Sequence, residues 1–217
     1  MPTILANTIS AFAILLAGLT TLTFCWLVAP QPWRWRAVYA AVCITGVPTV
    51  WYHGFGETFW QGVADIGTNL LLAWTLQIAA LWDGYPKKIR WSVALLSGLV
   101  NLFAIAGRIS MGPEAARIFP VSFGNFGGFS VVELVLIADS LLAVGLLYGR
   151  YAQIPARARA LLYITTGLFV LGATLASASN HRLDFGILAW HATWHVVGAF
   201  GFVFLWAFND VRFNRAV

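Results

Sequence analysis

Charged side chains are scarce in this chain. Only 10% of its 217 residues are Asp, Glu, Lys or Arg, whereas 60% are hydrophobic and the mean hydropathy is +0.78. A water-soluble domain of this length does not need so much apolar surface, so the composition excludes a soluble protein and predicts a polytopic membrane protein. We find no candidate soluble domain, low-complexity run or obvious repeat, and we therefore treat residues 1–217 as one transmembrane domain.

Cysteine and lysine are also rare, with two of each. Cys25 and Cys43 both lie within apolar stretches, so the sequence predicts neither a structural disulfide nor a Cys-x-x-Cys metal motif. Lys87 and Lys88 lie together between two apolar stretches, which excludes a retinal protein, because retinal needs a lysine in the last helix. No basic residue precedes the first apolar stretch, so we expect a retained span rather than a signal peptide.

Seven apolar stretches are long enough, or nearly so, to cross a bilayer as α-helices. Proline, glycine and charged residues separate them. The sequence therefore predicts an all-α fold, a bundle of seven transmembrane helices. The expected spans are residues 4–28, 37–53, 65–82, 91–107, 129–148, 160–180 and 185–209.

The distribution of basic residues predicts the orientation of these spans. Of the 13 Lys and Arg residues, ten flank the ends on one side of the membrane and three flank the ends on the other. The ten are Arg34, Arg36, Lys87, Lys88, Arg90, Arg150, Arg157, Arg159, Arg212 and Arg215, and the three are Arg108, Arg117 and Arg182. The positive-inside rule then places the amino terminus outside and the carboxyl terminus in the cytoplasm. The same bias explains the net charge of +5, which does not indicate nucleic-acid binding.

Histidines within the expected spans are the strongest functional signal. His191 and His195 are four residues apart and share one face of the seventh span. A rise of about 1.5 Å per residue places His191 roughly 28 Å above the inner end of its helix, and His195 one turn deeper. By the same reasoning His53 of the second span lies about 25 Å from the inner end, and Asp65 of the third lies about 27 Å from it. All four fall in the outer part of the membrane.

This set of side chains predicts a zinc site, provided that the three helices are neighbours. Neutral imidazole is a good zinc ligand, and three protein ligands (His53, His191 and His195) leave a fourth position for water. Zinc lowers the pKa of such a water and polarises a carbonyl oxygen. Asp65 is then the candidate general base and acid, and Thr49, one turn before His53, is a candidate hydrogen-bond donor to a developing oxyanion or a ligand-positioning residue.

Each of these residues also has a purely structural explanation when taken alone. A single histidine such as His53 is commonly an interfacial or core residue, and paired histidines also cap hydrogen-bond networks. Asp65 is equally suited to be a helix N-cap. Thr49 is typical of a packing residue that bonds back to its own helix. The coincidence in depth is what favours a metal.

Three further carboxylates have open roles. Glu133 is expected to form an ion pair with Arg108 that stabilises packing. The alternative role is a contact with a polar group of a substrate. Asp139 lies in the middle of the fifth span and must be paired, neutral or hydrated. Glu57, four residues after His53, either orients that imidazole or is an exposed loop residue.

The segment from His191 to Gly198 resembles the His-x-x-Trp-His motif that opens the seventh helix of alkaline ceramidases. Similarly, Thr49-Val50-Trp51-Tyr52-His53 resembles their Ser-x-x-x-His motif, with Thr in place of Ser, and Asp65 corresponds to the aspartate that opens their third helix. Together with adiponectin-type receptors and haemolysin III proteins, these enzymes form the CREST superfamily of seven-helix membrane hydrolases. The predicted topology, with an external amino terminus, is similar to that of the ceramidase branch and opposite to that of the adiponectin-receptor branch.

The resemblance implies zinc held by His53, His191 and His195, with Asp65 and Thr49 around the catalytic water. It also implies that a membrane lipid amide such as ceramide is hydrolysed to a fatty acid and a sphingoid base on the non-cytoplasmic side. The chain departs from the family in a slightly longer interval between His53 and Asp65, and in an amino terminus without the acidic calcium-binding segment. We therefore expect no calcium site. The alternatives are a receptor-like protein with a non-catalytic zinc and a metal transporter, and the sequence leaves the oligomeric state open.

Overall fold

Helices make up nearly all of the secondary structure in the described residues. The structure is a computed structural model that describes residues 2–56, 58–112, 121–123, 126–180 and 190–214. The long helices in these ranges are α1 (Pro2–Leu27), α2 (Trp33–Phe55), α3 (Phe59–Trp82), α4 (Lys87–Met111), α5 (Val131–Tyr148), α6 (Ala156–Asn180) and α7 (Trp190–Asn214). Two short strands, β1 (Val121–Phe123) and β2 (Phe126–Phe129), pair antiparallel between α4 and α5, and a 3₁₀ turn covers Tyr151–Gln153.

The length and composition of these helices make the chain an integral membrane protein. Six of them are long and apolar enough to cross a bilayer, and the exception is α2. Arg34 and Arg36 lie in the first turn of α2, and Thr45, Thr49 and His53 form a polar stripe along its buried side. The long helix that does not qualify as a span by itself is therefore one that supplies site residues.

The start of α3 corrects the sequence prediction. The helix begins at Phe59, six residues before Asp65, so the prediction that it opens at Asp65 is wrong, and so is an N-cap role for that residue. The N-cap is Thr58, and the side chain of Gln61 accepts a hydrogen bond from the Thr58 backbone N–H at 2.7 Å. This capping box stabilises the first turn, so Asp65 lies well inside the helix.

Other helix starts also differ from the expected spans, because helices continue beyond their apolar segments. α2 and α4 begin directly after Pro32 and Pro86, and α6 begins after Pro155. Proline suits these positions because its missing N–H is not needed at the start of a helix. The expected fifth span began at residue 129, which lies in β2 instead. Residues 185–189 of the expected last span lie outside the described residues.

The packing order brings the expected site helices together. α1 packs between α2 and α7, while α3 packs against α2 on one side and against α4 and α5 on the other. α6 packs against α7. The carboxyl end of α2 therefore lies beside the amino end of α7, and α1 lies close to both.

Two glycines allow α1 and α2 to approach closely. A Cβ atom at Gly46 would lie 2.6 Å from the Cα atom of Leu15, and one at Gly18 would lie 2.5 Å from the backbone nitrogen of Cys43. Any larger side chain at either position must push the two helices apart. This contact matters for the site, because α1 and α2 both contribute residues to it.

We expect Gly46→Ala to destabilise the bundle by about 1–3 kcal/mol, because the new methyl group has no space against the backbone of α1. Thermal unfolding in detergent would measure this as a lower midpoint. Gly145→Ala and Gly167→Ala are matched controls, since an added Cβ at either helical position has nothing within 4 Å. These controls should be neutral or slightly stabilising, and an equal loss in all three variants would contradict the close-packing explanation.

An ion-pair network joins the helices at the opposite end of the bundle from His53. Asp83, whose side chain is 2% exposed, forms ion pairs with Arg34 of α2 and with Arg212 of α7. The indole Nε1 of Trp35 donates a hydrogen bond to the same carboxylate at 3.1 Å. Asp83 thus joins α2, α7 and the end of α3 through charge-assisted contacts.

Candidate metal centre

Three histidines from two helices meet at the end of the bundle opposite Asp83. His53 lies in the last turn of α2, and His191 and His195 lie on one face of the first two turns of α7. The ring of His53 is 4.7 Å from the ring of His191 and 5.1 Å from the ring of His195, measured between centroids. The structure therefore brings together all three histidines that the sequence singled out.

The donor atoms of this triad are close enough to hold one metal ion. One nitrogen from each of the three residues lies within 4.8 Å of the others. The Nε2 atoms of His53 and His191 are 3.0 Å apart, near the separation of about 3.3 Å expected for two imidazole ligands on one tetrahedral ion. The same distance suits an N–H···N hydrogen bond, so ion binding would replace the proton shared by the two rings.

Ser10 of α1 orients His195, and sequence analysis missed it. Its hydroxyl lies 2.9 Å from Nδ1 of His195 and 3.0 Å from the carbonyl of Asn7, so it can donate its one proton to either. When that proton goes to Asn7, the hydroxyl accepts a hydrogen bond from Nδ1–H of His195. This tautomer leaves Nε2 of His195 unprotonated and available to a metal. A single serine in an apolar helix gives no sequence signal for such a role.

Asp65 and Thr49 lie against each other beside the triad. The Thr49 hydroxyl is 2.5 Å from Oδ1 of Asp65 and 2.8 Å from the carbonyl of Thr45, so it can donate its one proton to either. Thr49 is buried, whereas Asp65 is half-buried, and Asp65 interacts electrostatically with His53. The structure thus places Thr49 where it positions the carboxylate of Asp65.

The backbone around the site is fixed by further contacts. The Thr8 hydroxyl of α1 lies 2.8 Å from the carbonyl of His53 and 2.8 Å from that of Ile4, so it can donate to either and brings the end of α2 against α1. The rings of Tyr52 and Trp194 lie 4.9 Å from His53 and 5.5 Å from His195, respectively. His53 and His195 are buried, whereas His191 is half-buried.

The remaining carboxylates that the sequence raised lie elsewhere. Glu133 accepts hydrogen bonds from the Ser130 backbone N–H at 2.6 Å and from its hydroxyl at 2.8 Å, so it caps α5. This capping role replaces the expected ion pair with Arg108, whose guanidinium lies over the ring of Phe59. Asp139 belongs to a separate buried cluster, and Glu57 lies outside the described residues.

The fold and the triad define a class: an integral membrane protein built of helices, with a three-histidine cluster that could bind a metal ion. Neither a scan against protein-family models nor a search of curated proteins gave a match to this chain. The geometry of the site therefore carries the functional argument.

Proposed function

We propose that this protein is a zinc-dependent hydrolase of membrane lipid amides. The observation that carries the proposal is the meeting of three imidazoles at one end of a membrane bundle, with the Thr49–Asp65 pair close enough for the carboxylate to interact with His53. Three neutral imidazoles with an open fourth position are typical of catalytic zinc sites. Ser10 adds support, because its hydroxyl lies within hydrogen-bonding distance of Nδ1 of His195 and can hold that imidazole in the ligating tautomer.

His53, His191 and His195 would hold the ion through one ring nitrogen each. Imidazole also suits copper, iron and nickel, but three imidazoles without cysteine or methionine are a ligand set of catalytic zinc. When bound, zinc polarises a carbonyl group and makes water a stronger acid.

Asp65 is the proposed proton carrier. In amide hydrolysis, its carboxylate accepts a proton from the attacking water while the water oxygen forms a bond to the carbonyl carbon. The same carboxyl group then returns the proton to the amine nitrogen as the C–N bond breaks. Thr49 acts as a positioning residue, since its hydroxyl lies within hydrogen-bonding distance of the oxygen Oδ1 of Asp65.

A ceramide-type lipid is the proposed substrate, and a fatty acid and a sphingoid base are the products. The position of the site within a membrane bundle supports a lipid substrate, and the resemblance of the His191 and His53 segments to alkaline ceramidases supports an amide. His191 and Asp65 are only half-buried, so these two side chains are the proposed points of contact with the lipid.

We further propose that α2 is the seventh membrane span. It packs between α1 and α3, which both qualify as spans, and it exposes Ile44, Val47 and Trp51 on its outer side. The bias of basic residues supports an external amino terminus and a cytoplasmic carboxyl terminus. The histidine triad would then face the non-cytoplasmic side.

The direct test is to incubate the detergent-purified protein with ceramides, other lipid amides and lipid esters, with and without a zinc chelator. Mass spectrometry of the products should show fatty acid and sphingoid base only when zinc is present. Zinc without lipid turnover would favour a receptor-like role. Zinc flux into vesicles in place of turnover would favour transport. Purified protein without stoichiometric zinc would contradict all three functions: hydrolase, receptor-like protein and transporter.

Ser10→Ala is expected to weaken zinc binding about 10–100-fold without removing a ligand, because His195 loses the partner that fixes its tautomer. Competition with a chromophoric chelator would measure the affinity. Thr20→Ala is the matched control, since Thr20 is exposed on the same helix. Unchanged affinity in Ser10→Ala would contradict the orienting role.

A further inference from the structure

A cleft of about 200 Å³ lies between the last turns of α4 and the first turn of α5. Its α4 wall is one face of that helix, because the lining positions recur at intervals of three and four residues. Two of them are small, so this face leaves room between the helices. The lining includes Ala104, Gly107, Arg108 and Met111 of α4, and Val131 and Val132 of α5.

The walls of the cleft are mainly apolar, and its rim is exposed. Ala104 and Val132 are buried at the base, where they pack with Leu70 of α3. At the rim, Phe103 is 75% exposed and Val131 is 42% exposed. An apolar cavity of roughly 150 Å³ is large enough for benzene, so this cleft has room for a segment of an acyl chain.

The cleft is separate from the histidine triad. It lies on the side of α3 that packs against α4 and α5, whereas His53 belongs to α2, which packs against the other side of α3. None of the three histidines lines it. A ligand in the cleft would therefore not compete with a metal ion or with its ligands.

Arg108 gives the cleft a positive charge. Its guanidinium carbon lies 5.7 Å from the centroid of the Phe59 ring, at the start of α3. Among the described residues, no carboxylate forms an ion pair with Arg108, since the ion pairs there use Asp83 and Glu133 instead caps α5. The cleft is therefore complementary to a molecule with an apolar chain and an anionic head.

The depth of Arg108 matches the level of lipid headgroups. Arg108 follows Lys87, the first residue of α4, by 21 positions, which is about 31 Å along the helix axis. The hydrocarbon core of a bilayer is about 30 Å thick. The phosphates of the surrounding leaflet thus lie level with the guanidinium group, and their acyl chains lie level with the apolar part of the cleft.

The chemistry of arginine favours a phosphate head with net negative charge. A planar guanidinium group donates two parallel hydrogen bonds to two oxygens of one phosphate. A phosphatidylglycerol-type headgroup balances the charge of Arg108, whereas a choline headgroup carries its own cation and does not. Charge balance therefore distinguishes the two kinds of phospholipid.

We propose that the cleft between α4 and α5 binds an anionic phospholipid of the surrounding bilayer. Its phosphate lies on Arg108, and one acyl chain lies along Gly107 and Ala104. The lipid fills the space between two helices and so holds the outer part of α4 against α5. This site does not depend on the proposed hydrolase activity, and its test involves neither zinc nor turnover.

The test is native mass spectrometry of the delipidated, detergent-purified protein, titrated with dioleoyl-phosphatidylglycerol or with dioleoyl-phosphatidylcholine. The wild type should retain one phosphatidylglycerol, with an affinity at least about tenfold above that for phosphatidylcholine. Arg108→Gln should bind phosphatidylglycerol about 10–100-fold more weakly and lose the preference, because charge-assisted hydrogen bonds are lost. Arg90→Gln is the matched control, since Arg90 lies over the Trp82 ring at the other end of α4. That variant should retain the preference.

Gly107→Leu tests the cleft without changing the charge. An added Cβ meets only Cε of Met111, at 3.7 Å, so the larger side chain should be accommodated and project into the cleft. Affinity for phosphatidylglycerol should fall at least about tenfold, because the leucine occupies the space of the acyl chain. Gly145→Leu is the matched control, since an added Cβ there has nothing within 4 Å and Gly145 does not line the cleft.

Three results would overturn the proposal. One is equal retention of the two phospholipids by the wild type. Another is wild-type affinity for phosphatidylglycerol in Arg108→Gln or in Gly107→Leu. The third is displacement of bound phosphatidylglycerol by an equal concentration of oleate, which would make the cleft a fatty-acid site instead.

Discussion

Replacing His191 with glutamine is expected to reduce bound zinc from about one ion per chain to roughly a tenth or less, since a three-ligand site cannot hold the ion with two imidazoles. Lipid hydrolysis should fall about a thousandfold, because the metal contributes several kcal/mol to stabilisation of the transition state. His191 is half-buried and Gln keeps a polar side chain of similar length, so the fold should persist. Elemental analysis and product formation would measure the two losses.

His181→Gln is the control by residue type, because the proposed zinc site uses the other three of the four histidines in the sequence. That variant should keep its zinc and its activity. A His191→Gln protein that retains both would contradict the assignment of the triad. A variant that loses zinc but retains turnover would show that the reaction does not need the metal.

Asp65→Asn should have the opposite pattern, with zinc retained and hydrolysis reduced by about 10²–10⁴-fold. The amide cannot accept the proton of water, but it preserves the size of the side chain and its contact with Thr49. The loss should appear mainly in kcat, because proton transfer belongs to the chemical step and not to lipid binding. Zinc content and steady-state kinetics on the same preparation would separate this variant from His191→Gln.

Thr75→Val on the same helix provides the control for Asp65→Asn. Thr75 is ten residues beyond Asp65 on α3, and its hydroxyl donates to the carbonyl of Leu72 in its own helix. Removal of this hydroxyl should therefore leave kcat unchanged. Wild-type turnover in Asp65→Asn would exclude Asp65 as the proton carrier. Loss of zinc in that variant would instead make Asp65 part of the metal binding site.

Several features of the fold could be predicted from composition and periodicity. Long apolar stretches predicted membrane helices, and six helices have the required length and apolarity. Helix starts were less accurate, because hydropathy locates the apolar segment and not the first hydrogen-bonded turn. For α3 the capping box at Thr58 and Gln61 set the start, and for α5 the one at Ser130 and Glu133 did so. Both were present in the sequence as Thr-x-x-Gln and Ser-x-x-Glu.

The candidate site was predicted in part. His191 and His195 share a helix, so their spacing alone places them on one face. The contact of His53 with His191 depended on the assumption that the second, third and seventh spans are neighbours. In the structure α2 packs against α3, whereas α1 packs between α2 and α7, and the two histidines meet where the ends of α2 and α7 come together. Ser10 could not be predicted, because its role depends on which helix packs beside His195.

By itself, the sequence determined the membrane class, the approximate helices and the set of side chains with metal-binding chemistry. These follow from local properties, namely hydropathy, residue type and spacing along one helix. Tertiary structure decided which polar groups meet: Ser10 with His195, Thr49 with Asp65, and Gln77 and Asn101 with Asp139. Such pairs join different helices, and they form only where packing surfaces, such as the close contact at Gly18 and Gly46, set the distance between those helices.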